Sequence, residues 1–154
     1  MCKFIFFTKT FTSVSDPLLN HTYLSSGQFI IKITGSFQIQ NFGTTPDKLK
    51  LIDVINWGTN INTSFYRAFY QCSNLNISAS DYPDLSSCTT IQEIFSYCSS
   101  LNYPLLANWD VSNVTNMRRM FFDSEFNKPI DEWDVSKVTN MTEMFMYSNF
   151  NRPI

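Results

Sequence analysis

The chain has little charge, little glycine and a single histidine. Only 16% of its 154 residues are charged, and the formal net charge is -2. A surface that binds nucleic acid needs clustered Lys and Arg to neutralise phosphates, so this composition excludes nucleic acid as an expected partner. The lone His21 and four cysteines without a Cys-x-x-Cys pair lack the ligand spacing of a zinc site. We expect no metal and no cofactor.

Long apolar runs and catalytic motifs are also absent. No apolar run reaches the roughly 18 residues of a membrane helix, so we expect no membrane insertion. The apolar stretch at residues 4–7 is shorter than the roughly 7 to 15 residues of a signal-peptide core, and no signal peptide is visible. The sequence contains no nucleophile elbow, zinc-protease helix, P-loop or dinucleotide fingerprint. We therefore predict that the chain is not an enzyme.

What the sequence does contain is a repeat. Residues 107–130, ANWDVSNVTNMRRMFFDSEFNKPI, are followed at once by a second copy, DEWDVSKVTNMTEMFMYSNFNRPI. Weaker copies precede them, so that repeats begin near Trp57, Pro83, Trp109 and Trp133. A fixed period of this length indicates stacked repeats. Identical residues recur in every copy and predict structural ladders: Thr63, Thr89, Thr115 and Thr139; Phe69, Phe95, Phe121 and Phe145; Asn76, Asn102, Asn127 and Asn151.

Each repeat carries two local patterns. The alternation around Trp133, Asp134 and Val135 predicts a strand with Trp133 and Val135 inward and Asp134 outward. The apolar positions of VTNMRRMF fall at i, i+3, i+6 and i+7, which predicts a short helix. Stacked strands lie roughly 4.7 to 4.9 Å apart, so we expect the asparagines to form a ladder of side-chain amides.

The repeat W-D-V-S-N-V-T-N-M-x-x-M-F-x-x-S-x-F-N-x-P-I resembles those of the BspA-like leucine-rich repeat surface proteins, over residues 57–154. The resemblance implies an α/β fold: a short leucine-rich-repeat solenoid of about four repeats of 24–26 residues, each with a strand and a short helix. It also implies a cell-surface or secreted location. Residues 20–35 resemble the closing hairpin of PKD-type β-sandwich domains.

These patterns divide the chain into three parts. Residues 1–22 receive no assignment, residues 23–56 form a β-rich lead-in and cap, and residues 57–154 form the solenoid. We expect the solenoid to be truncated or uncapped at its C-terminal end. Such an end would leave Met144, Phe145, Phe150 and Ile154 partly uncovered, and this predicts self-association through the last repeat.

The candidate binding site is an acidic stripe on the outward positions of the predicted strands. Its residues are Asp84, Asn108, Asp110, Glu132 and Asp134. One hypothesis is that the stacked carboxylates bind a basic partner or a divalent cation. The alternative is that each aspartate accepts a hydrogen bond from its own Asp-x-Ser turn.

The function expected from these features is a non-catalytic protein-interaction or adhesion module of a surface protein. Its partner would be a protein or an extracellular-matrix-like ligand. Two alternatives stay open: a structural spacer within a longer repeat protein, and a glycoside hydrolase that uses Asp110 and Asp134 as acid and base. Cys72 and Cys98 occupy equivalent slots one repeat apart, so they form either a disulfide or a pair of buried thiols.

Overall fold

The computed structural model describes residues 2–3, 9–10, 33–34 and 48–154. Within them the elements are short. The strands are β1 (Cys2–Lys3), β2 (Lys9–Thr10), β3 (Ile33–Thr34), β4 (Leu51–Val54) and β5 (Asn76–Ile77), and two 3-10 helices span Lys48–Lys50 and Pro104–Asn108. No α-helix occurs in the described part of the chain.

All strand pairs within the described ranges are parallel. One sheet has the order β1-β4-β5, and the other joins β2 to β3. Pairing of Asp53 with Asn76 and of Val54 with Ile77 places the lead-in strand beside the first repeat. Apart from β3, the PKD-like hairpin predicted at residues 20–35 lies outside the described residues.

Four layers stack along the chain: residues 57–82, 83–108, 109–132 and 133–154. Parallel bridges run through one slot of all four, from Ser64 to Thr90, Asn116 and Asn140. Beyond this slot, every second residue donates its backbone N–H to a carbonyl of the next layer. Between the first two layers these bonds are Phe65 to Thr90 (3.0 Å), Arg67 to Gln92 (3.1 Å), Phe69 to Ile94 (3.0 Å) and Gln71 to Ser96 (2.8 Å).

Within a layer, the same segment forms two consecutive four-residue turns. The N–H of Ala68 donates to the carbonyl of Phe65 at 3.1 Å, and a second such turn follows at residues 69–72. The third residue of each turn has a positive φ, as in type II turns. These residues are Arg67, Gln71, Glu93, Tyr97, Arg119, Asp123, Glu143 and Tyr147, with φ between 50° and 61°.

Positive φ normally favours glycine, yet large side chains hold all eight positions. The conformation costs an L-residue roughly 1–2 kcal/mol. Six of the eight residues donate their backbone N–H to the next layer: Arg119 N–H, for example, donates to Thr142 at 3.0 Å and Asp123 N–H to Met146 at 2.9 Å. The turn conformation aims these donors along the stack, and the bonds they make offset the strain in the first three layers.

The predicted α/β leucine-rich-repeat solenoid, with a strand and a short helix in each repeat, is therefore wrong. Consecutive four-residue turns bury side chains at i, i+3, i+4 and i+7, which is also the spacing of one helix face. In the third layer these buried side chains belong to Met117, Met120, Phe121 and Ser124. The predicted strand at Trp133–Val135 is likewise wrong, because these residues form no strand and lie between two turns, and Val135 is 40% exposed instead of buried.

The phenylalanine slot forms a continuous stack in the core. Ring centroids lie 5.7 Å apart between Phe69 and Phe95, 6.1 Å between Phe95 and Phe121, and 5.6 Å between Phe121 and Phe145. The planes differ by only 8°, 16° and 7°. Offset stacking of this kind adds to the apolar burial that holds adjacent layers together.

The threonine and asparagine slots bind adjacent layers through backbone groups. Thr115 donates both its hydroxyl (3.1 Å) and its N–H (2.9 Å) to the carbonyl of Thr89. In the asparagine slot, Asn102 N–H donates to Asn76 Oδ1 at 3.3 Å, and Asn151 N–H donates to Asn127 Oδ1 at 3.0 Å. The asparagine bonds thus join a side chain to a backbone N–H, where the sequence predicted bonds between side-chain amides.

The last layer ends the interlayer bonding. Among the residues that the structure describes, no acceptor faces the N–H groups of Met141, Glu143, Phe145 and Tyr147, which occupy the donor slots of the earlier layers. Met144 is buried here, Phe145 and Phe150 are partly buried, and Ile154 is 78% exposed. Self-association through this layer stays a prediction.

The turn geometry predicts a reversal of the usual preference between alanine and glycine. Asp123 is exposed and has φ 50°. We expect Asp123→Gly to be more stable than Asp123→Ala by about 1 kcal/mol, because only glycine adopts this φ without strain. Inside a helix the order would be opposite, with alanine favoured by about 0.8–1.0 kcal/mol. Urea unfolding of both variants measures the difference.

The matched control is Glu132, an exposed residue that is not among those with positive φ. There, Glu132→Gly should be no more stable than Glu132→Ala. A more stable alanine variant at position 123 would contradict the paired turns.

Candidate functional site

The aspartates of the predicted acidic stripe each accept a hydrogen bond from their own turn. Asp84 Oδ1 accepts the N–H of Ser86 at 2.9 Å, and Asp110 and Asp134 accept the N–H groups two residues ahead at 3.1 and 3.0 Å. Hydrogen bonds from the side chains of the same serines, followed by these backbone bonds, lower the pKa of all three carboxyls, because they favour the ionised form. This is the turn geometry that the sequence offered as the alternative to a binding stripe.

The other two members of the stripe differ from the aspartates. Asn108 Nδ2 donates to Tyr82 Oη at 3.1 Å, and Glu132 is exposed. None of the five residues lies on a strand, so the regular outward face expected for them does not form. Binding at the stripe stays a prediction.

Neither carboxyl of the proposed hydrolase pair has the pKa of a general acid. A glycosidase acid needs a raised pKa to hold its proton near neutrality, whereas the pKa values of Asp110 and Asp134 are lowered. In the described ranges, no group of three or more His, Cys, Asp or Glu side chains is placed to hold a metal ion. Nor does that part of the chain contain a helix long and apolar enough to span a membrane.

Cys72, Cys88 and Cys98 are buried free thiols, so the structure has no disulfide between Cys72 and Cys98. Burial raises the pKa of Cys72 to about 12. The Cys98 thiol donates to the carbonyl of Phe69 at 3.1 Å. Because the thiolate is the reactive form, these cysteines are packing groups of the core.

A different feature, which the sequence analysis did not predict, crosses all four layers. Four aromatic rings form a zigzag chain in which neighbouring centroids lie 5.3–5.5 Å apart. Two guanidinium groups lie over these rings, that of Arg67 at 5.0 Å from the ring centre of Tyr70 and that of Arg119 at 5.0 Å from that of Phe122. We call this feature the aromatic–arginine strip: Arg67, Tyr70, Tyr97, Arg119, Phe122 and Tyr147. Phe122 is buried between its neighbours, and the other five side chains are at least partly exposed.

Beside the strip runs a ladder of alternating charge. The first positive-φ slot of each layer reads Arg67, Glu93, Arg119 and Glu143. Arg67 Nε lies 2.7 Å from Glu93 Oε2, and Arg119 Nε pairs with Glu143. Arg118 lies between the two acids, at 3.6 Å from Glu93 and 3.9 Å from Glu143.

Glu93 is the buried member of this ladder. Burial raises its pKa, but hydrogen bonds from Gln92 and Arg67 and the charges of Arg67 and Arg118 outweigh that effect and leave the pKa below its usual value. The same pairing raises the pKa of Arg67, chiefly through the hydrogen bond to Glu93. The ladder therefore holds Arg67 and Arg119 in place over the rings of the strip.

The strip left a faint signal in the sequence. Its aromatic members occupy two neighbouring slots, held by Tyr70 and Phe122 in one and by Tyr97 and Tyr147 in the other. An aromatic alternating between adjacent slots looks like sequence drift unless the turn geometry is known. The tryptophans, by contrast, pack inward: Trp57, Trp109 and Trp133 are all buried.

These observations define the class of protein. The chain is a stacked-repeat protein whose layers are built from turns and joined by parallel backbone hydrogen bonds. It belongs to the family described as "Mycoplasma protein of unknown function, DUF285", whose family model matches residues 53–154. No curated protein and no solved structure matches the chain.

The charge ladder predicts a pH-dependent contribution to stability. Glu93→Gln should lower the free energy of unfolding by about 1–2 kcal/mol at pH 7, less than for a fully buried pair because the arginine partners are about one-third exposed. A carboxyl whose pKa is lowered by folding stabilises the folded state at pH values above its unfolded-state pKa of about 4.3. That contribution is lost as the pH falls through the pKa of the folded state. The difference from wild type should therefore shrink below about pH 4.

Urea unfolding at pH 7 and at pH 3 measures this difference. Glu143→Gln is the control, since its carboxyl is about one-third exposed, and it should cost less stability than Glu93→Gln. An undiminished difference between wild type and Glu93→Gln at pH 3 would argue against the ion-pair origin.

Proposed function

We propose that the chain is a non-catalytic binding module of a surface protein and that it captures a partner protein through the aromatic–arginine strip. The observation that carries this proposal is the unbroken run of rings and guanidinium groups over four layers. The surface location rests on the resemblance to BspA-like repeats.

The composition of the strip favours protein binding. Tyr and Arg are enriched among the residues that dominate interface energies. Tyrosine supplies a large contact area at a low cost in side-chain entropy. Here Tyr147 is 71% exposed, and Tyr70 and Tyr97 are partly exposed. The rings are also held by their neighbours, so little additional ordering is needed on binding.

The geometry favours a protein over a nucleic acid or a flat sugar ring. Tyr70 meets Tyr97 at 86° and Phe122 meets Tyr147 at 87°, so the strip presents edges and hydroxyls as well as faces. Bases stack on flat faces along a cationic groove. In this strip Arg67 and Arg119 already pair with Glu93 and Glu143. Because these charges are balanced, the strip would bind a partner mainly through apolar contacts and its phenolic hydroxyls.

The acidic stripe supports binding less well. A partner that engaged Asp110 or Asp134 strongly would compete with the turn N–H groups they already bind. That competition would remove part of the gain, because the freed N–H groups would need new acceptors.

A random-peptide phage library, selected on the immobilised chain, tests this proposal. The strip variant is Tyr97→Asn with Tyr147→Asn, since asparagine tolerates the φ of 61° found at both positions. We expect the selected peptides to lose at least tenfold in affinity for this variant, because two aromatic anchors are removed.

The control variant is Asp110→Asn with Asp134→Asn, which keeps an oxygen acceptor for each turn. Peptide affinity for it should stay within about threefold of wild type. Circular dichroism and thermal unfolding of both variants establish that they remain folded. Peptides that bind the strip variant as tightly as wild type would overturn the proposal, and failure to select any peptide would favour a structural spacer.

A further inference from the structure

A polar cleft of about 340 Å³ opens away from the core, where three layers contribute side chains to one surface. The second layer supplies Ser100 and Asn102, and the fourth supplies Arg152. The third layer supplies Glu125, Asn127 and Lys128. Its volume falls at the small end of the range for small-molecule sites.

The two basic residues of the cleft differ from the other basic residues of the four layers in their ion pairs and hydrogen bonds. Residues 57–154 contain six basic side chains. Arg67, Arg118 and Arg119 form ion pairs, and Lys137 Nζ donates to Asn113 at 2.7 Å. The remaining two, Lys128 and Arg152, make no ion pair or hydrogen bond with any residue that the structure describes, and both line the cleft.

These two cations also occupy the same slot of adjacent layers, in NKPI and NRPI. Backbones of adjacent layers lie roughly 5 Å apart, and like charges placed directly opposite one another are destabilising. An anion bound between them would relieve this repulsion. Arginine further favours planar acid groups, which it can bind through two parallel N–H donors.

The rest of the lining consists of hydrogen-bonding groups. Ser100 and Asn102 make no side-chain hydrogen bond within the described part of the chain. Glu125 accepts a bond from Asn149, and its carboxylate retains lone pairs for ligand hydroxyls. Leu101 is the apolar contribution to the lining. A hydroxyl-rich ligand matches this lining better than an aromatic one.

We infer that this cleft binds an acidic sugar, with Lys128 and Arg152 on its acid group and Ser100, Asn102 and Glu125 on its hydroxyls. A nucleotide fits less well, because the cleft has no aromatic ring on which a base could stack. The acid group is a carboxylate or a sulfate. This site lies apart from the aromatic–arginine strip and does not depend on the proposed protein binding.

Titration calorimetry and ¹H–¹⁵N NMR with the folded chain test the inference, using D-glucuronate, D-glucose 6-sulfate and D-glucose as probes. At least one acidic sugar should bind with a dissociation constant on the order of 1 mM, as expected for a ligand of this size. D-glucose should bind at least tenfold more weakly. Amide shifts should centre on Ser100, Asn102 and Lys128, and the stronger acidic probe identifies the acid group.

Lys128→Gln with Arg152→Gln should weaken binding of the acidic sugar at least tenfold. Since neither side chain has a partner among the described residues, this variant should keep the wild-type melting temperature. Lys137→Gln removes a cation that lies outside the cleft and should leave binding unchanged. Acetate is added as a control that carries the carboxylate without the sugar ring, and equal binding of acetate and D-glucuronate would overturn the sugar assignment. Equal binding of all three sugars, or unchanged binding by the double variant, would overturn the site.

Discussion

The structure depends on the hydrogen bonds that alternate residues of each layer donate to the next. They run through the Phe65–Gln71 segment and its counterparts, spaced so that each donor finds a carbonyl of the following layer. Buried backbone groups have to be paired, and the described part of the chain, which has no α-helix and only short strands, must satisfy them in another way. Here the donors are satisfied between layers, so a layer is stable only beside a neighbour.

This constraint explains the residues that recur. The phenylalanine slot fills the space between layers, and the threonine slot supplies a second donor to a carbonyl that already accepts a backbone bond. It also explains why charged and aromatic side chains occupy positions of positive φ. Arg67 and Glu93 stabilise the stack through their side chains while their backbones keep the turn conformation.

The repeat boundaries and the ladder slots were readable from residue identity, because stacked layers demand the same residue at the same place. The backbone conformation within a layer could not be predicted from the sequence. Met117, Met120 and Phe121 have the spacing of a helix face, and two four-residue turns bury the same positions. The usual glycine or asparagine that would mark a positive φ is absent from all eight turn positions. The aromatic–arginine strip depends on those turns, so it could not be predicted without them.

The most direct test of the stacked-turn account is amide hydrogen exchange measured residue by residue by NMR. In the third layer, the N–H groups of Met117 and Phe121 donate to the fourth at 2.8 and 2.9 Å and should exchange slowly. Their counterparts in the fourth layer, Met141 and Phe145, face no acceptor among the described residues and should exchange at least tenfold faster, although Met144 between them stays protected. Uniform protection through residues 141–148, as a helix would give, would contradict the account.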